Sequence, residues 1–361
     1  MTALDHPSVS IVLLNYNGRK FASYWQHLFS LDYPKPKYEI IFIDNGSNDG
    51  SEDLFAEMAS QSPEISVTMV KLKRNCGYSK ANNIGAEKAK GDYMVLLSND
   101  IRVSRDWLKN AIATMESDKR IGVAQSILYM ADFPSQLDRT GNYVDALGFN
   151  HPFSLTGRDI EEVFYSEGAV MFIRRKLVDE ALGLFDETYF MLYEDVDFCW
   201  RARLMGYKVV VMQTSKAYHK CGGTVPGTLM KTDPQYVFTN TRNRLNTLLK
   251  NYSAGNAIEF VPFSTMIEIT KGIWLMFNGK KRQSLACFSG ILSFLSGIPV
   301  TMKKRACVQE KRTLRNDKEI TRFMTPLREA IGNVIGSVHA LHNDWRKRQD
   351  ENVDNSVLAH S

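Results

Sequence analysis

The chain has 361 residues, 44% hydrophobic and 24% charged, which is close to a globular average. That length allows two compact domains or one large domain with an extension, and it excludes disorder over most of the chain, collagen and a coiled-coil rod. The net charge of +5 is uneven: residues 271–348 hold sixteen Lys and Arg against five Asp and Glu, +11, leaving about −6 elsewhere.

The N-terminal stretch has no basic segment and no long apolar run, so no signal peptide is expected there. Residues 8–14 are β-branched and apolar, too few to cross a bilayer, and break at Asn15-Tyr16-Asn17-Gly18: a buried strand ending in a polar turn. Residues 38–43 repeat the pattern and break at Asp44. Between them, Phe21, Tyr24, Trp25, Leu28 and Leu31 predict a helix over 20–31. A helix over 51–60, a strand over 67–72, a helix over 79–90 and a strand over 93–97 follow, the last ending at Ser98-Asn99-Asp100. Strands alternating with helices predict a largely parallel α/β sheet. Residues 121–170 read less clearly. Beyond them come a strand over 167–173, a short helix over 175–181, an aromatic loop over 183–193 and an amphipathic helix over 194–205 closed by Gly206. A strand over 208–212, a loop carrying His219 and Gly222-Gly223-Thr224, and a polar helix with Arg242-Asn243-Arg244 complete this part.

Composition shifts near residue 257. Residues 258–277 are apolar but interrupted by Glu259, Glu268 and Lys271, and residues 284–302 carry no charge, with basic triplets on both sides. That run is marginal for a spanning helix; the basic flanks suit a segment lying in a membrane interface. The alternative is a helical pair packed on the catalytic part. The expected organisation is residues 1–256 as a catalytic domain (1–115 nucleotide-binding, 116–256 donor-sugar and acceptor), 257–350 as a basic, apolar helical region, and 351–361 as a disordered tail. Five scattered cysteines with no C-x-x-C argue against a secreted disulfide framework and fit a reducing compartment better.

Open parallel sheets bind ligands beyond the carboxyl ends of their strands. Here those ends carry Asn15 and Asn17, Asp44, Arg74 and Asn75, and Asp100, which should converge on one crevice.

The motifs IVLLNYNG, IDNGSNDGS, NCGYSKANNIG, LLSND, EGAVMFIRR, YEDVDFCWRARLMGY and HKCGGT occur in this order. Over residues 8 to about 250 the chain resembles a family 2 glycosyltransferase with a GT-A fold, in the rhamnosyltransferase-like subgroup. The resemblance implies a Rossmann-like, mixed but mainly parallel sheet flanked by helices, here with a C-terminal helical, membrane-associating extension. It implies an inverting, metal-dependent enzyme. The donor would be a UDP- or dTDP-sugar and the acceptor a lipid-linked or polysaccharide chain, at the cytoplasmic membrane face.

Asp44 can accept the imide N–H of a uracil or thymine ring, or cap a turn. Tyr16 can stack on the base or belong to the core. The resemblance places Asn17, Arg74, Asn75, Ser98 and Asn99 at the nucleotide as well. Asp100 is the metal carboxylate of the family's D-x-D or N-x-D motif; here Ser98 stands at its first position. A diphosphate leaving group needs a divalent cation, Mn²⁺ or Mg²⁺, which takes oxygen ligands. His219 is the implied third contact to metal or diphosphate. Of the acidic run opening the helix at 194, the resemblance assigns Asp195 as general base and Glu194 as the acceptor-orienting group; Asp197 reads as structural, paired with Arg201. Gly168 and Ala169 would line the donor sugar.

Two other classes stay in view: a sugar nucleotidyltransferase and a non-catalytic nucleotide-sugar-binding scaffold. Nucleic-acid binding is not expected, because the basic residues flank an apolar run rather than alternating with aromatics.

Overall fold

The computed structural model describes residues 6–220, 233–314 and 316–324. Val9–Asn15 (β1) and Tyr38–Asp44 (β2) form where the apolar runs predict and pair in parallel, with Asn15 opposite Asp44. The single helix expected over 20–31 is instead three short turns: Arg19–Phe21, Ala22–Trp25 (α1) and Gln26–Ser30. No side chain caps any of them, so burial of Phe21, Trp25, Leu28 and Leu31 sets the path rather than helix propensity. Ser51–Ser60 (α2), Ser66–Lys71 (β3), Tyr78–Lys88 (α3) and Tyr93–Ser98 (β4) complete a parallel block in the order β4-β1-β2-β3.

The second half departs from simple alternation. Ile101–Val103 (β5), Trp107–Ser117 (α4) and Ile121–Met130 (β6) lead into short strands: Leu137–Arg139 (β7), Asn142–Val144 (β8), Asn150–Pro152 (β9) and Ile160–Glu162 (β10). Val170–Arg174 (β11) then inserts antiparallel between β4 and β6. It arrives from a loop rather than a crossover helix, so it need not run parallel. Arg175–Glu180 (α5) and Glu194–Leu204 (α6) follow, and Lys208–His219 (β12) pairs parallel with β6 and antiparallel with β5. The full order is β10-β12-β6-β11-β4-β1-β2-β3. β12 runs to His219, well past the strand expected over 208–212, and so sets His219 opposite Ile101, one residue from Asp100.

Alternate residues of the strands feed two cores, one on each face. Ile11, Leu13, Phe42, Val95 and Leu97 pack under α1, α2 and α4, where the Phe42 and Phe55 rings stack at 4.1 Å. Val12, Ile41, Ile43, Met94 and Leu96 face the other way, towards α3 and α6.

Pro234–Asn251 (α7), Ala254–Phe277 (α8), Lys281–Lys311 (α9) and Lys318–Thr321 (α10) close the described chain. The composition shift at 257 falls in the first turn of α8. α9 is long and apolar enough to cross a membrane, by length and composition. Yet one side of it is fastened along α7: Thr301 donates to Asn246 at 2.9 Å, and Arg305 to Leu249 O and Tyr252 O, both at 2.6 Å. Gly290 lies so close that a Cβ there would meet Phe238 O at 2.9 Å. The Gly222-Gly223-Thr224 loop and the tail over 351–361 lie outside the described residues.

A fully buried ion pair ties α7 to α8. Arg244 Nη2 donates to Glu268 Oε1 at 2.6 Å, with both side chains at 0% exposure. Burial raises the Glu268 carboxyl, but Lys271 and Arg244 outweigh it and hold the group well below the usual range. Removing one partner strands a charge in a dry site. Glu268→Ala should therefore cost about 3–5 kcal/mol in urea unfolding; a loss under about 1 kcal/mol, the worth of an exposed pair, would contradict this account.

Candidate active site

The carboxyl ends of β1, β2 and β4 are knitted by a buried amide network. Asn15 Nδ2 donates to Asp44 Oδ1 at 3.1 Å and to Ser51 Oγ at 2.7 Å, and Asn15 Oδ1 accepts from Asn99 Nδ2 at 2.9 Å. Asp44 Oδ2 also accepts from Ser47 N at 3.2 Å. Asp44 is therefore buried, with both oxygens engaged inside the protein. Asn17, in the left-handed region at φ 50°, receives Asn48 N on its side-chain oxygen at 3.1 Å. Tyr16 is 37% exposed above this network. Arg74 is exposed after β3, and Asn75 joins β2 to the next loop through Asn45 Nδ2 at 3.1 Å.

The turn after β4 leads from this network to a second set of groups. Ser98 N donates to Ala169 O at 2.9 Å, so Gly168 and Ala169 lie against the end of β4. Two residues on from Ser98, Asp100 Oδ2 stands 3.5 Å from His219 Nε2. The other ring nitrogen, Nδ1, is 2.6 Å from Asp138 Oδ2. Burial pulls the His219 pKa down, but hydrogen bonds to Asp100 and Asp138 outweigh it and the value is pushed up to about 9. Asp138 was not anticipated: it sits on a three-residue strand inside the stretch with no readable periodicity, and nothing local marks it.

The third set stands on α6. Its first turn carries Glu194, Asp195 and Asp197. Asp195 Oδ2 accepts from Gly168 N at 3.3 Å, and Oδ1 from Val196 N at 2.8 Å. Burial pushes the Asp195 carboxyl up to about 7; Glu167 adds to the rise and the N–H of Val196 opposes it. Burial, then the charge of Asp195, pushes Glu194 well above the usual carboxylate range, and among the described residues Glu194 Oε2 is buried without a hydrogen-bond partner. Asp197 points the other way. It pairs with Arg201 at 3.0 Å and Lys250 at 2.9 Å inside the core, as its structural reading requires.

Gly168 sits between these groups. Tyr78 Oη donates to Gly168 O at 2.6 Å, and a Cβ on Gly168 would lie 2.6 Å from that hydroxyl. The glycine is thus required by Tyr78. Burial, then Glu194 and Asp195, keeps the Tyr78 hydroxyl protonated well above its ordinary range. Both Tyr78 and Glu167 lie inside motifs quoted above, each beside a glycine, Gly77 and Gly168, and that placement was the available signal. Glu167 accepts from Asn142 at 2.7 Å and pairs with Arg139 at 3.3 Å. Arg139 neighbours Asp138, so a polar chain runs from the Asp100–His219 pair round to Asp195.

The loop before α6 is held in an unusual shape. Leu192 and Tyr193 have φ of 70° and 69°, a region that costs a non-glycine residue about 1–2 kcal/mol.

A divalent cation fits the Asp100–His219 donor set. The carboxylate oxygen suits Mn²⁺ or Mg²⁺, the imidazole is the softer ligand of the two, and a carboxylate on Nδ1 is the usual way to orient a ligating histidine. Among the described residues no group of three His, Cys, Asp or Glu side chains is arranged to hold a metal alone.

Residues 10–182 match the model of a family described as glycosyl transferase family 2. The chain is 22% identical over 281 residues to the "Low-salt glycan biosynthesis hexosyltransferase Agl10" of Haloferax volcanii, covering 76% of this chain and 85% of that protein. It is 24% identical over 199 residues to the "Beta-monoglucosyldiacylglycerol synthase" of Trichormus variabilis, covering 55% of this chain and 42% of that protein. Among solved structures, GalNAc-T7 with UDP, GalNAc and Mn²⁺ superposes with a TM-score of 0.60 at 16% identity, over 73% of this chain and 51% of that one. Residues 10–182 thus carry a glycosyl transferase family 2 domain, and the chain is a glycosyltransferase built on the GT-A fold.

Proposed function

We propose that the enzyme is an inverting, cation-dependent transferase of the rhamnosyltransferase-like subgroup. It would move a sugar from a UDP- or dTDP-sugar to a lipid-linked or polysaccharide acceptor, on the cytoplasmic face of the membrane. One observation carries this: Gly168 N donates to Asp195, and the neighbouring Ala169 O accepts from Ser98 N, two residues before the Asp100 that faces His219. The names of the Haloferax and Trichormus relatives support glycan and lipid acceptors, and the UDP, GalNAc and Mn²⁺ of the superposed complex are in keeping with a uridine nucleotide and a divalent cation.

Asp44, Asn17 and Asn99 shape the nucleotide pole, with Tyr16 above the base and Arg74, Asn75 and Ser98 at its rim. Gly168 and Ala169 line the donor sugar. Asp100 and His219 would hold the cation, His219 giving up its Nε2 proton as the cation binds, and Asp138 fixes the imidazole by its bond to Nδ1. The cation, when bound, neutralises the leaving diphosphate. The protein offers it few ligands, which matches a hard cation completed by substrate phosphates. Asp195 takes the proton of the acceptor hydroxyl as the glycosidic bond forms and the sugar–phosphate bond breaks. A single base acting from the face opposite the leaving group inverts the anomeric carbon. Glu194, buried and with one oxygen unpartnered, orients the acceptor.

Asp195→Asn should keep UDP affinity while transfer falls by about 10²–10⁴, the usual weight of a general base; near wild-type turnover would remove Asp195 from that role. Asp100→Ala should abolish Mn²⁺-dependent UDP binding in calorimetry, and unchanged affinity would refute the cation role.

The base must be unprotonated to act, and burial has raised its pKa to about 7. Activity should therefore fall as pH drops through neutrality and level off above it. A kcat/KM profile flat from about pH 5 to 8 would contradict a buried carboxylate base.

The membrane contact rests on the outer faces of α8 and α9. Ile258, Met266, Ile269, Ile273 and Phe277 form one exposed stripe on α8, with Phe277 at 86% exposure; Leu285, Leu292, Leu295 and Val300 form another on α9. Lys280, Lys281, Arg282 and Lys303 frame them, which suits an anionic bilayer surface. Since α9 is fastened to α7 from Gly290 to Arg305, the pair would lie flat in the interface rather than span. Burying an apolar side chain of this size is worth about 1.5–3 kcal/mol. Phe277→Asp with Leu292→Asp should therefore release the protein from anionic vesicles in a sedimentation assay, with donor hydrolysis retained. Undiminished sedimentation would count against this surface.

A further inference from the structure

α6 begins without a side-chain cap of its own, at Tyr193, and the two residues that lead into Glu194 and Asp195 both lie in the left-handed region. Neither is glycine. What holds this shape comes from α7. Asn243 is fully buried, and its Nδ2 donates to Met191 O at 3.0 Å and to Leu192 O at 2.8 Å. Its Oδ1 accepts from Arg242 Nε at 2.9 Å, and Arg242 Nη2 reaches back to Thr188 O at 2.8 Å. From the far side, Tyr193 Oη donates to Gly148 O at 2.8 Å. One amide thus grips two successive carbonyls of the strained segment, immediately before the acidic pair.

We propose that Asn243 is a positioning residue: by clamping the carbonyls of Met191 and Leu192 it holds residues 192–193 left-handed and so aims Asp195 at Gly168. This rests on the reading of Asp195 as the base. Asn243 touches no reacting atom and works through the backbone. Without the clamp the segment relaxes towards an ordinary conformation and the first turn of α6 rotates away from the donor-sugar loop.

A repair at the strained residue tests this. Glycine adopts the left-handed region freely, so Leu192→Gly should partly substitute for a lost clamp. Asn243→Ala is expected to lower kcat about tenfold, with KM for the donor little changed. Turnover is read as nucleotide release, with Mn²⁺, from the UDP- or dTDP-sugar that most raises the melting temperature. Hydrogen exchange of the peptide over 188–197 should quicken in the same variant. The double variant Asn243→Ala with Leu192→Gly should recover several-fold in kcat and slow the exchange again.

A double variant no faster than the single one, or exchange unchanged by Asn243→Ala, overturns the proposal. If Asn243→Ala yields no folded protein, Leu192→Val carries the test. It leaves Asn243 in place and makes the left-handed shape costlier, so kcat must fall and unchanged kcat overturns the clamp. Exchange reads the clamp without reference to the base. A fully active Asp195→Asn enzyme with exchange that still responds to Asn243 would remove the base and leave the clamp standing.

Discussion

Five carboxylates crowd one poorly hydrated edge of the sheet, and the arrangement of the site follows from keeping them there. Asp100, Asp138, Glu167, Glu194 and Asp195 lie along a single polar chain in which His219 and Arg139 are the cationic members. Like charges in a low-dielectric crevice raise one another's pKa unless hydrogen bonds or cations answer them. Here the response is graded. Asp100 and Asp138 share the imidazole, Glu167 takes Arg139 and Asn142, and Asp195 accepts from the backbone N–H groups of Gly168, at 3.3 Å, and Val196. Burial pushes up the least compensated pair, Glu194 and Asp195. A group poised near neutrality is what proton removal from an alcohol calls for, and an acidic crevice that must take a diphosphate calls for a divalent cation.

The nucleotide pole is built on the opposite principle. Asn15 Nδ2 and Ser47 N donate to Asp44, and Asn99 and Ser51 hold Asn15 in place, so both oxygens of that carboxylate are engaged before any ligand arrives. Asp44 thus organises the ends of β1 and β2 in addition to the nucleotide contact proposed for it, and the turn-capping alternative read from the sequence describes part of what it does.

The parallel half was legible because β1 to β4 are apolar runs ended by polar turns, the strongest short-range signal a chain carries. The acidic first turn of α6 was legible for the same reason. The half between β6 and β11 was not: β7 to β10 are three-residue strands, too short for any periodicity to appear. Asp138 reaches His219 across 81 residues, and spacing cannot report such a contact. The bent path over 19–30 escaped because helical periodicity marks which side is buried, while packing decides how the backbone gets there. The left-handed pair at 192–193 gave no sign at all, since the sequence offers neither glycine nor asparagine where the geometry favours them.

α7 is the element on which the two halves of the account meet. One of its sides fastens the loop that presents the acidic pair; the other carries the ion pair to α8 and the length of α9, whose outer faces are apolar. The central claim remains that the carboxylates and His219 serve one ligand in one crevice. A crystal structure with UDP and Mn²⁺ tests it most directly. The account predicts an anomalous manganese peak in contact with Asp100 and His219, and the diphosphate beside Gly168–Ala169 with Asp195 facing the same space. Manganese bound elsewhere, or UDP lying apart from Asp195, would contradict it.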